Sequence, residues 1–130
     1  MSHLRPKLTA MKILLILALS IAAMAGTRAG GVPMTESETI EYLIRSVEQL
    51  ADAKFIRNGT EYDAQAAADH LRLKWRNAGS RVKTAEDFIR LCASASSMSG
   101  RPYRIRLADG TVMESATFFE KKLREINRRF

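Results

Sequence analysis

Residues 84–103, TAEDFIRLCASASSMSGRPY, constrain the fold more than any other part of the chain. Thr84 is placed to cap a helix, with Glu86 and Asp87 favoured in its first turn by the helix dipole. Ala85, Phe88, Ile89, Cys92 and Ala95 recur at helical spacing, and Leu91 widens the apolar arc. Only Glu86, Asp87 and Arg90 face away, so this is expected to be the most buried helix, with the other elements packed around it. A serine-rich exit (Ser94, Ser96, Ser97, Ser99) and Gly100-Arg101-Pro102-Tyr103 end it, which brings core and surface together in one segment.

The rest of the chain supplies what that helix can pack against. Thr35 and Glu38 have capping-box spacing, and Ile40, Leu43, Ile44, Val47, Leu50 and Ala51 predict an amphipathic helix to about Asp52. Asn58-Gly59 between two short alternating runs predicts a hairpin, because a type I′ turn needs positive φ at both central residues. Its register would set Arg57 opposite Thr60, Ile56 opposite Glu61 and Phe55 opposite Tyr62, with the aromatic pair facing a helix. Asp63 caps a helix over residues 64–78, which Gly79 stops. That helix carries a stripe of Ala64, Ala67, Ala68, Leu71, Trp75 and Ala78, flanked by His70, Lys74 and Asn77. A second hairpin is expected over residues 103–114, turning at 108–111, and then a helix capped by Ser115 with Phe118, Phe119, Leu123 and Ile126 inward. The fold class is therefore α+β, in the order helix, hairpin, helix, helix, hairpin, helix. Isolated hairpins are marginal in water, which favours fusing the two into one small antiparallel sheet.

One domain suffices for 130 residues, and the first quarter lies outside it. Arg5, Lys7 and Lys12 precede an apolar run at 13–23, and Ala23-Met24-Ala25 forms a cleavage site, with Thr27-Arg28-Ala29 as the fallback. This reads as a signal peptide over 1–25, a flexible tail over 26–34 and a single domain over 35–130, in a periplasmic or secreted protein. The run falls short of the roughly 20 residues that span a bilayer, so no integral membrane segment is expected after cleavage. Cys92 is the sole cysteine, so no intramolecular disulfide can form. It is expected to be a buried, reduced thiol in a monomer, an intermolecular bridge being the alternative.

The formal charge is +7, and +4 once Arg5, Lys7 and Lys12 are removed. Residues 26–52 hold a net −3, which leaves +7 on 53–130. Such asymmetry gives the protein a face suited to anionic material. For an exported chain, the matching anions are an envelope component, an acidic partner or peptide, or an anionic polymer rather than nucleic acid. Scattered Arg and Lys also serve simply as a solvated surface.

Several segments, taken in order, carry a family resemblance: Phe55-Ile56-Arg57-Asn58-Gly59, Ala68-Asp69-His70-Leu71-Arg72-Leu73-Lys74, Thr84-Ala85-Glu86-Asp87-Phe88-Ile89, Ala93-Ser94-Ala95-Ser96-Ser97 and Ser99-Gly100-Arg101-Pro102-Tyr103. Over roughly residues 36–127 the chain resembles the YfeK-like family of small exported bacterial proteins. That family is a domain of unknown function, so the resemblance implies export and a bacterial source but no activity.

Catalytic signatures are absent. One cysteine and one histidine outside the leader do not make a typical metal site, so no metal or cofactor is expected. There is no nucleophile elbow and no phosphate-cradling glycine loop. Ser80-Arg81-Val82-Lys83 matches Ser-x-x-Lys only formally, in a loop. His70 is the one residue of the domain whose ordinary pKa lies near neutrality; on the edge of an apolar stripe it is expected to be packed and hydrogen-bonded. The candidate ligand-binding residues are His70, Lys74, Ser97, Ser99, Arg101 and Tyr103, gathered in one polar recess between the serine loop and the second helix. The expected function is a non-catalytic binding module. The alternative is a small envelope hydrolase or transferase using His70 and a serine of the 94–99 run.

Overall fold

The computed structural model describes residues 31–130, so the leader and most of the 26–34 tail lie outside the described residues. Residues 31–33 are exposed and irregular, while Met34 already packs against the core. Helix α1 (Glu36–Glu48) opens on the expected capping box: Thr35 accepts from the Glu38 amide, and the Glu38 carboxylate accepts from the Thr35 amide. It stops at Glu48, short of Asp52. The reason lies downstream, where Asp52 adopts φ +56° and reverses the chain so that Ala53 is buried at the foot of the sheet.

Strands β1 (Lys54–Arg57) and β2 (Thr60–Tyr62) form the first hairpin in the register read from the sequence, Phe55 with Tyr62, Ile56 with Glu61 and Arg57 with Thr60. Asn58 and Gly59 take φ +51° and +77°, the two positive values that a type I′ turn demands. Helix α2 (Ala64–Ala78) is capped by Asp63, and Gly79 ends it at φ +52°, leading into a single 3₁₀ turn over Gly79–Arg81. Strands β3 (Arg104–Arg106) and β4 (Val112–Glu114) make the second hairpin, and β3 pairs antiparallel with β1 through Phe55 and Ile105. The two hairpins thus fuse into one four-stranded antiparallel sheet, order β2-β1-β3-β4.

Two further elements depart from the sequence-based expectation. The segment from Thr84 begins as α3 (Ala85–Phe88), with Asp87 completing a capping box, and then widens into a π-helical turn, Ile89–Ala93. At its exit the Ser94 hydroxyl donates to the Ile89 carbonyl, five residues back. The wider turn lets the neighbours Cys92 and Ala93 both reach zero exposure. In the last helix, α4 (Ser115–Asn127), Ser115 is not the cap. Strand β4 feeds into the helix without a linker, so Glu114 takes the cap position with no side-chain bond and Ser115 is already buried in the first turn.

The core is centred on Phe88, which is fully buried edge-on between Trp75 at 6.2 Å and Phe119 at 6.1 Å. Removing a ring from such a site costs about 3–5 kcal/mol. Leu43, Ile44 and Val47 of α1, Ile105 of β3 and Ile126 of α4 complete it. Cys92 is free and buried, and burial pushes its thiol pKa up. Among the described residues no helix is long and apolar enough to cross a membrane.

Candidate functional site

Strand parity puts Arg57 on the same side of β1 as Phe55, the side that faces α2. There its guanidinium Nη1 lies 3.1 Å from His70 Nδ1 and 3.0 Å from Nε2, while Nη2 donates to the Tyr62 hydroxyl at 3.2 Å. The guanidinium carbon also sits 5.1 Å from the centre of the Tyr62 ring. Being almost equidistant from the two ring nitrogens, Nη1 lies over the face of the imidazole, where a neighbouring cation disfavours a second positive charge on the ring. Burial, then Arg57 and Lys74, hold His70 below its ordinary pKa of 6.5.

One turn further along α2, Lys74 donates to the Ala95 carbonyl at 2.9 Å and to the Tyr103 hydroxyl at 3.0 Å. That hydroxyl is 3.3 Å from His70 Nε2. Arg57, His70, Tyr103 and Lys74 thus form one hydrogen-bonded chain across β1, α2 and the segment before β3. Beside it opens a recess of about 170 Å³. Phe55, Ala66, Ala67 and Leu71 supply apolar walls, and Arg57, Tyr62, His70, Tyr103 and Ser115 supply polar groups. No carboxylate lines it, and Arg57 makes no ion pair among the described residues. Arg104, exposed at the rim, stands opposite Glu114 in the β3–β4 register.

The structure therefore brings together His70, Lys74 and Tyr103 of the residues singled out from the sequence. Ser97 and Arg101 are exposed and line no part of this recess. Ser99 is also exposed, and its hydroxyl donates to Asn58 Oδ1. Asn58 in turn donates to the buried Ser96 hydroxyl at 3.2 Å. The serine segment is closed by its own backbone, Ser96 N–H to Arg101 O at 3.0 Å and Gly100 N–H to Ser96 O at 2.9 Å. It clamps the Asn58-Gly59 turn, and the bond from Tyr103 N–H to Ser94 O sets Tyr103 in place. The serines hold the recess together instead of lining it. Arg57 is not among the residues singled out from the sequence; its separation of two from Phe55 puts it on the helix-facing side only once the strand is paired.

Residues 34–127 match the family of unknown function DUF5329. The uncharacterized protein YfeK of Salmonella typhimurium is 41% identical over 68 residues, which make up 52% of this chain and 57% of that protein. The chain thus matches little more than half the length of that relative. No solved structure matches.

Proposed function

The chain belongs to the DUF5329 family of bacterial proteins, and from that premise we propose that it is a small non-catalytic binding module that receives an anionic group at Arg57. The observation that carries this reading is the uncompensated charge: a half-buried guanidinium on a mostly apolar recess, hydrogen-bonded to His70 and Tyr62 and to no carboxylate. A partly desolvated cation without a counter-ion is costly to keep, and a bound anion relieves that cost. Hydrogen bonds in which the donor is charged are the stronger class, which suits Arg57 to the task.

A hydrolase reading through His70 has less support. A general base needs a hydroxyl to deprotonate and a partner to orient it. The hydroxyls of Ser94, Ser96 and Ser99 are committed to Ile89 and Asn58, and the groups bonded to His70 are Arg57 and Tyr103. The basic and apolar pattern of residues 5–23 supports an exported module that meets an envelope component, a peptide or an anionic polymer in the periplasm or outside the cell.

The test is an amide and histidine NMR titration of the full-length protein with sodium acetate and with inorganic phosphate, against sodium chloride at equal ionic strength. Saturable shifts at Arg57, His70 and Tyr103 that vanish in Arg57→Gln are expected. Shifts spread over all exposed arginines, or none at the recess, would count against the reading.

A further inference from the structure

The recess also narrows which anion it suits, an inference that rests on the reading above. Size is the first restriction. A cavity of about 150 Å³ holds a benzene-sized body, so about 170 Å³ leaves room for one short apolar group to be seated inside. Charge is the second. Lys74 stands behind Tyr103 with its ammonium engaged by the Ala95 carbonyl and the Tyr103 hydroxyl, and it does not line the wall. His70 lies against Arg57, and burial together with the neighbouring cations disfavours charge on its ring. Arg57 is therefore the cation seated in the recess, with Arg104 exposed at its rim, and a monoanion balances the seated charge. The third restriction is the donor set. Of the five N–H groups of a guanidinium, Arg57 has committed two, leaving a planar donor matched to a carboxylate. Ser115 adds a hydroxyl to that wall. It lines the recess at 3% exposure.

We propose that this recess binds a monoanionic carboxylate carried on a short apolar group, with the carboxylate meeting Arg57 and the Ser115 hydroxyl and the apolar group lying on Ala66, Ala67 and Leu71. Two sources share that chemistry: the C-terminus of a peptide ending in an apolar residue, and a free short-chain acid.

Calorimetric titration of the full-length protein tests the assignment with hexanoate, acetate, hexyl phosphate, the peptide acetyl-Ala-Ala-Leu and its C-terminal amide. Hexanoate is expected to bind at least tenfold tighter than acetate or hexyl phosphate. Arg57→Gln should weaken it at least tenfold, and so should Ala67→Leu, which fills the recess without changing charge; Ser115→Ala should weaken it several-fold. Should one variant fail to fold, the others still decide the matter. Tighter binding of the peptide acid than of hexanoate supports a chain terminus as the source, and the reverse order supports a free acid. Equal binding of the peptide acid and its amide, or tighter binding of hexyl phosphate than of hexanoate, would overturn the carboxylate assignment while leaving an anion site at Arg57 standing. No binding of any anion would overturn both readings.

Discussion

Arg57 and Arg72 are both half-buried arginines beside helix α2, and they are held in opposite ways. Arg72 lies between two carboxylates of α1, Glu41 and Glu48, each at 2.6 Å, with Asp69 at 3.9 Å. Its hydrogen bonds to Glu48 and Glu41 raise its own pKa, and its bond to Glu48 holds that carboxyl below the usual range. That cation is closed off, and its role is to lock α1 against α2. Arg57 has similar exposure and no carboxylate; its partners are a neutral ring and a phenol, and an apolar recess opens beside it. The difference teaches that position alone does not mark a binding cation: what counts is whether the fold has already supplied the counter-charge.

The strongest way to break the contrast is to remove the turn that holds Arg57. Gly59 sits at φ +77°, and a Cβ there would meet nothing within 4 Å, so the cost of Gly59→Val is conformational, not steric crowding. A left-handed conformation costs an ordinary residue about 1–2 kcal/mol, and a β-branched one more. Thermal melting of Gly59→Val should fall by roughly 10 °C for a domain of this size, with anion binding lost as well. An unchanged melting point would contradict the type I′ turn as the anchor of the site.

Arg72→Met sharpens the other half of the comparison. Glu41 and Glu48, two turns apart on α1, then lose their shared cation across the α1–α2 seam, and the pairs are partly solvated, so the loss should be about 1 kcal/mol. Anion binding at Arg57 should stay unchanged in that variant. Loss of binding would mean that the two arginines are not independent.

The smallest effect concerns pH. The folded pKa of His70 lies below its ordinary 6.5, so the unfolded chain takes up this proton first as pH falls. Stability from the neutral ring is therefore complete above that value and declines as pH drops below it. Melting curves from pH 7 to 5 should show this decline, and His70→Gln should flatten it. A bound carboxylate should raise the pKa of His70, because anion binding and ring protonation favour each other. Protonation that destabilised the carboxylate complex would contradict a site at Arg57.

How much of this was legible in the sequence differs by element. The Asn58-Gly59 turn, its register, and the caps at Thr35, Asp63 and Thr84 were all readable, because each is fixed by residues within a few positions. The π-helical turn was not: Ser94 closing on Ile89 is a five-residue contact that a 3.6-residue period cannot express. Ser115 looked like a cap because its residue type favours caps, yet the direct passage from β4 into α4 moved that position to Glu114. Within the site, His70, Lys74 and Tyr103 followed from helix spacing and the exit of the serine segment. Ser97 and Arg101 did not join them, because the backbone bonds of the 96–101 turn, invisible in sequence, leave both exposed. Arg57 was hidden for another reason: in a strand it reads as a surface cation until the pairing of β1 and the position of α2 are known.

The most direct test of the contrast between the two arginines follows their side-chain Nε–H signals by ¹⁵N NMR while hexanoate is added to the full-length protein. The account predicts that the Arg57 signal shifts saturably while that of Arg72, already neutralised by Glu41 and Glu48, stays in place. A stationary Arg57 signal, or equal shifts at both arginines, would contradict it.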